Sequence, residues 1–376
     1  MTKSDSKLIR VFEPRTTIRD KYSVLKTLIK NNISGTSPIV QEFETNFASR
    51  FNRKYAVAVS NGSVALDVAF KSLNLKKNDE VILPSHTIIS CLSAVIRSNA
   101  TPVFCDVDPI SWNMTLDNVK EKISQNTKAI LMVHTFGLPA QAEEIEEFCK
   151  ENKIFLIEDA AEAHGQSYKD RLCGSFGDIS TFSFYANKHI TTGEGGIVLT
   201  DSKEYYESLL QLRNLDFRSS ERFKHENLFW NYRMGGLQAS LGLSQIKSLE
   251  RTINFKIKQG NFYQSLLSNY GDIVQTQADS YYQKPNHYWV FGILLKTDNI
   301  RDQLVSSMLN DGIETRPFFW PLHLQSALPK KYRKNEYLPT AEKIGKNGLY
   351  IPIGPHINKK EQKFVVRSLI NNIKLL

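Results

Sequence analysis

The 376-residue chain has 41% hydrophobic and 23% charged residues, and 48 Lys+Arg against 39 Asp+Glu leave a formal net charge of +9. That composition excludes large-scale disorder, and the length exceeds one compact core, so about two domains are expected. No apolar run reaches the ~18 residues of a membrane span, and the start Met1–Lys7 lacks the apolar centre of a signal peptide; both point to a soluble, cytoplasmic protein.

Residues 1–10 read as a loose tail. Tyr22–Leu28 has a helical pattern that Gly35 and Pro38 then interrupt. From Tyr55 onward short apolar runs alternate with amphipathic stretches. The runs are Tyr55–Val59, Val81–Leu83, Pro102–Val107, Ala129–Val133, Ile154–Ile157, Ile179–Phe184 and Gly196–Leu199, with helical patterns such as Leu116–Ile123 and Ala142–Glu151 between them. Continuous apolar strands separated by helices predict a mostly parallel sheet covered on both faces. The expected organisation is an N-terminal segment plus a large α/β domain over 1–245, then a smaller α+β domain over 246–376. The second part holds the helical Arg251–Leu267, the strand-like Val290–Leu295, the helical Ile300–Asn310 and a final helix Lys360–Leu375.

The excess positive charge is spread out. Lys76-Lys77, Lys330-Lys331 and Lys359-Lys360 are isolated pairs, and no basic stripe interleaves with aromatics, so neither nucleic acid nor a membrane is an expected partner. Cys91, Cys105, Cys149 and Cys173 form no C-x-x-C pair and sit near no histidine cluster, so buried free thiols are expected and no metal site.

Three features lie where strands end, the place where such sheets bind ligands. The run Tyr55–Ser60 enters Asn61-Gly62-Ser63 and then a helical stretch, a turn that is either an ordinary capped βα connection or a phosphate cup. It matches neither nucleotide-binding glycine motif. The run Ile154–Ile157 ends in Glu158-Asp159, a carboxylate that either caps the next helix or holds a ring nitrogen protonated. Lys188 follows Thr181–Asn187 and precedes the glycine-rich Gly193-Glu194-Gly195-Gly196. Desolvation there would lower its proton affinity and make it a nucleophilic amine. Phosphate cup, ring-nitrogen acid and Schiff-base lysine are together what pyridoxal 5'-phosphate requires.

At these residues the chain resembles the DegT-type (DegT/DnrJ/EryC/StrS) sugar aminotransferases, over about Ser34–Ile353. The motifs are Glu158–Gly165, Gly174–Asp178, Asn187–Gly196 and Asn231-Tyr232-Arg233-Met234 with Gln238, Gly242 and Gln245. Thr315–Phe319 with Pro321-Leu322-His323, and Ile351–Pro355, are similar to members that make GDP-perosamine for surface polysaccharide such as O-antigen. The resemblance implies the aspartate-aminotransferase (type I) fold and a pyridoxal-phosphate-dependent transaminase. L-glutamate would give its amino group to C4 of a nucleotide-linked 4-keto-6-deoxy sugar, with the GDP-linked mannose type favoured. Amination at C3 and dTDP- or UDP-linked sugars stay open.

By the same resemblance Lys188 would carry the cofactor and shuttle the proton, and Asp159 would pair with the ring nitrogen. Glu162 would stand near the ring hydroxyl. Gly62, Ser63 and Ser183 would hold the phosphate. Asn231 would reach the phosphate of the partner subunit's cofactor, which implies a homodimer with shared sites. Arg316, His323 and His86 would lie near the sugar nucleotide. The family places an aromatic, stacked on the cofactor ring, where Ile88 stands; either His86 replaces it or an aliphatic side chain packs there. Dehydratase relatives replace the lysine by histidine, whereas Lys188 is present, and a regulatory relative without chemistry would be expected to lose Lys188 or Asp159.

Overall fold

The computed structural model describes residues 8–217 and 223–376. Seven strands form the large sheet: β1 (Tyr55–Val59), β2 (Glu80–Pro84), β3 (Thr101–Cys105), β4 (Thr127–Val133), β5 (Phe155–Asp159), β8 (Ile179–Ser183) and β9 (Gly196–Thr200). Two short ribbons, β6 (Ser167–Tyr168) with β7 (Arg171–Leu172) and β11 (Ser280–Tyr281) with β12 (Lys284–Pro285), stand apart from it. The order in the large sheet is β1-β9-β8-β5-β4-β2-β3. All pairings from β8 to β3 are parallel, and β9 runs antiparallel to both β1 and β8.

Both faces are covered, and the strands divide their side chains between two cores. In β1, Val57 and Val59 join one apolar cluster while Ala56 and Ala58 join another. In β4, Ala129, Leu131 and Val133 point one way and Ile130 and Met132 the other. This is why the strands read as unbroken apolar runs, since period-2 alternation carries no polar face when neither side meets water. Burial of each such Val or Leu contributes about 1.5–3 kcal/mol.

Helices α1 (Ile18–Ile29) and α2 (Pro38–Arg50) precede the sheet, followed by α3 (Gly62–Ser72), α4 (Ile89–Arg97), α5 (Leu116–Lys120), α6 (Ala142–Asn152), α7 (Lys203–Arg213) and α8 (Gly236–Ile246). Pro38 opens α2 at its first turn, where its missing N–H costs nothing, so the break expected at that proline is a helix start. The pattern Leu116–Ile123 gives only the short α5, which ends at Lys120.

The long α9 (Leu249–Leu267) leads to a four-stranded sheet, β10 (Val274–Thr276), β13 (Phe291–Leu295), β14 (Arg316–Pro317) and β15 (Gly348–Ile351), in the order β10-β13-β15-β14 with all pairs antiparallel. Helices α10 (Arg301–Asn310), α11 (Pro339–Asn347) and α12 (Lys359–Leu375) complete it. Its core joins Tyr263, Phe291, Ile293, Leu349, Ile351 and Leu369. Of the expected tail, residues 1–7 lie outside the described residues. Ile9 is no loose end: it bridges Ile313, and its N–H donates to the Gly312 carbonyl at 2.8 Å. Among the described residues no helix is long and apolar enough to cross a membrane.

Candidate active site

Strand β5 delivers Asp159 to the carboxyl edge of the sheet, almost fully buried. Oδ1 accepts the Ala161 N–H at 3.0 Å, and Oδ2 accepts the Cys91 thiol from α4 at 3.5 Å. Burial raises its proton affinity; the Ala161 amide and the Lys188 charge oppose that. Asp159 is thus both a turn-capping carboxylate and one whose second oxygen, among the described residues, is met by a weak thiol donor.

Lys188 emerges beyond β8, its side chain 9% exposed, with Nζ 3.6 Å from Glu162 Oε1. Burial lowers its proton affinity, against the pull of Glu162 and Asp159. Burial likewise pushes the Glu162 carboxyl up to about 7, with Lys188 and the Phe136 amide opposing. That amide donates to Glu162 Oε2 at 2.7 Å, from a Phe136 whose φ of 58° lies in the left-handed region, a strained setting for a bulky residue.

The turn after β1 forms the third corner. Asn61 Oδ1 accepts the Val64 N–H at 2.9 Å and caps α3, while the preceding amides of Gly62 and Ser63 have no intrahelical acceptor. The capping reading of this turn is thus observed, and the cap leaves those two amides for another acceptor. Ser63 Oγ lies 2.7 Å from Ser90 Oγ on α4. A Cβ built on Gly62 would stand 2.6 Å from Ser183 Cβ, so only glycine lets the end of β8 close on the start of α3. Amides at a helix start and the hydroxyls of Ser63, Ser90 and Ser183 are groups suited to an anion.

Residues 16–370 match the DegT/DnrJ/EryC1/StrS aminotransferase family. The chain belongs to this family.

Over 363 residues the aminotransferase is 36% identical to a GDP-perosamine synthase of Escherichia coli O157:H7, covering 96% of this chain and 98% of that one. Its fold is similar to that of an aminotransferase from Psychrobacter cryohalolentis, with TM-score 0.88, 27% identity and coverage of 96% and 99% of the two chains. It is equally close in fold to the E. coli GDP-4-keto-6-deoxy-D-mannose-3-dehydratase with bound hydrated pyridoxal phosphate, at TM-score 0.88, 26% identity and coverage of 96% and 100%. The α/β architecture is the type I fold of these enzymes, and the cofactor is pyridoxal phosphate. The residues present fit that group: helix-start amides and serine hydroxyls at one turn, a buried carboxylate and a buried amine.

The substrate-end residues divide. His323 is buried, its Nδ1 2.6 Å from Ser85 Oγ and its Nε2 3.4 Å from Glu342 Oε1. Arg316 is exposed, 3.3 Å from Glu314 and 5.2 Å over the Phe12 ring. The His86 ring is buried among Phe136, Phe318 and Phe319, with centroids 5.5, 5.9 and 6.1 Å away, and burial lowers its proton affinity to about 3. Its ring is thus engaged in an aromatic cluster. Ile88, 38% exposed, stands at the cap of α4. Asn231 is exposed, its Oδ1 accepting the Arg233 N–H at 3.2 Å, on a segment that bridges Asn214.

Cys91, Ser90 and Trp289 are the site neighbours that sequence reasoning missed. A hydroxyl at Ser90, on the first turn after a strand end, was the one legible signal. Cys91 and Trp289 reach the site through packing across 68 and about 100 residues of chain, which no local pattern records.

Proposed function

We propose that this aminotransferase moves an amino group from L-glutamate to C4 of GDP-4-keto-6-deoxymannose, giving GDP-perosamine. The observation that carries the reading is the buried Lys188 beside Glu162 and Asp159, in a chain similar over nearly its whole length to a GDP-perosamine synthase. Pyridoxal phosphate, when bound, supplies the electron sink that acidifies the substrate carbon. The Asp159 carboxylate would keep a proton on the ring nitrogen. Lys188 Nζ would take the proton from the substrate carbon and return it two positions away, on the far side of the bridging nitrogen, acting as base and then acid. Gly62, Ser63, Ser90 and Ser183 would fix the phosphate, and Glu162 would stand at the ring hydroxyl.

A cavity of about 770 Å³ adjoins the lysine loop, lined by Phe12, Arg15, Lys188, Arg251, Phe255 and Lys258 among others. None of Gly62, Ser63, Asp159 or Ser183 lines it, so it adjoins the lysine and is distinct from the turn proposed for the phosphate. Its cations and aromatic rings suit a diphosphate with a base attached.

A second copy completes the proposal. Ile18, Tyr22, Leu25 and Ile29 on α1 are exposed, at 80%, 66%, 53% and 73%, as are Ile33, Leu228 and Trp230. Exposed apolar side chains of that kind favour a protein interface, and the exposed Asn231, next to Trp230 in the chain, would reach the partner's phosphate.

The test is incubation with GDP-4-keto-6-deoxymannose and L-glutamate, followed by mass spectrometry. Formation of GDP-perosamine with 2-oxoglutarate is expected. Conversion of a dTDP- or UDP-linked ketosugar alone would refute the nucleotide, and no amino sugar from any of them would refute the substrate class.

A further inference from the structure

The ammonium of Lys188 lies over an indole ring. Nζ is 3.8 Å from the ring centroid of Trp289, which is 5% exposed and enters from the segment before β13. The indole is held on several sides. Phe136 stacks against it with centroids 6.1 Å apart and planes at 24°. Gly137 approaches so closely that a Cβ there would lie 3.3 Å from the Trp289 backbone nitrogen. The Trp289 carbonyl accepts from the buried Lys256 Nζ at 3.0 Å. Trp289 Nε1, by contrast, is buried with no hydrogen-bond partner among the described residues. What this side chain presents to the amine is therefore its ring face, with Nζ over the centroid.

We infer that Trp289 is a positioning residue for Lys188: its ring face holds the amine in the charged form, beside Glu162, until cofactor or substrate engages it. This rests on the reading of Lys188 as the cofactor-carrying lysine. Glu162 and Asp159 face the same amine and favour its charge, while burial and the neighbouring His164 ring, were it protonated, oppose it. The ring quadrupole adds to the first pair, and in a desolvated setting such contacts are at their strongest.

The test reads Lys188 directly. The full-length chain, freed of cofactor and verified as folded by circular dichroism, is trace-acetylated with acetic anhydride across pH, and the Lys188 peptide is quantified by mass spectrometry. In Trp289→Leu the midpoint of Lys188 reactivity is expected to fall by about one pH unit relative to wild type, and in Trp289→Phe by about half that. A merely space-filling role would leave Trp289→Phe unmoved. A midpoint that stays within about 0.2 unit of wild type, or rises, in Trp289→Phe overturns the inference, and that variant decides alone if Trp289→Leu does not fold. The parent reading fails separately: wild-type chain that develops no absorbance band near ~420 nm with pyridoxal phosphate would refute it without touching the acetylation result.

Discussion

Gly62→Ala tests the anion cup with one methyl group. The added Cβ would sit 2.6 Å from Ser183 Cβ and 3.0 Å from Ser183 Oγ, whereas ordinary contact begins near 3.4 Å. The start of α3 and the end of β8 must therefore separate by about 0.8 Å. The α3 side is already hemmed in by β9, since a Cβ built on Gly196 would stand only 2.4 Å from the Asn61 carbonyl oxygen and 2.9 Å from Gly62 N. Overpacking of this kind costs about 1–3 kcal/mol of stability, partly offset by the ~1 kcal/mol that alanine gains over glycine in a helix. The cofactor loses more. An amide or hydroxyl moved by most of an ångström no longer bonds a phosphate, and each bond to a charged group is worth about 1.5–3 kcal/mol. Affinity for pyridoxal phosphate should fall roughly 10- to 100-fold, with a melting temperature only a few degrees lower. The assay is absorbance titration with the cofactor beside a thermal melt of the same variant. A variant that binds as tightly as wild type would place the phosphate elsewhere.

Lys188→Ala should lose amino transfer by at least ~100-fold while melting like the parent, and Asp159→Asn should lose a comparable factor while still binding cofactor; single-turnover spectra separate the two, and full rates would remove either from the chemistry. Glu158, next to Asp159 in β5, would be raised by its burial, yet bonds from His134, the Gly174 amide and Ser180 hold it at about 2. A carboxyl lowered from 4.5 to about 2 stabilises the fold above pH 4.5, and about 3 kcal/mol of that is lost as pH falls towards 2. Glu158→Gln should flatten that acid limb in denaturant melts and lower stability at neutral pH, where His134 is left unpaired; an unchanged limb would contradict the assignment. If active sites are shared, mixing inactive Lys188→Ala and Asn231→Ala chains should restore about a quarter of wild-type activity, because half the dimers carry one intact site; no recovery after subunit exchange would refute sharing.

Much of the site was legible because strand ends announce themselves. Apolar runs buried on both faces located β5 and β8, and with them Asp159 and Lys188. The reversed direction of β9 was not legible, since Gly196–Thr200 is as apolar as its parallel neighbours. Pro38 was read as a break because proline stops a helix interior and also starts a helix, and only the following turn tells which. His86 looked like a ring available to the cofactor, but Phe318 and Phe319, more than 230 residues on, enclose it. The thiol on Asp159 and the indole on Lys188 arise in the same way, from packing between distant segments.

The measurement closest to the central claim is the absorbance spectrum of the purified protein with pyridoxal phosphate, before and after L-glutamate. The account predicts a band near ~420 nm that falls on adding glutamate while one near ~330 nm rises, and that is absent in Lys188→Ala. Cofactor that binds without the ~420 nm band, or a band indifferent to glutamate and every other amino donor, would contradict it.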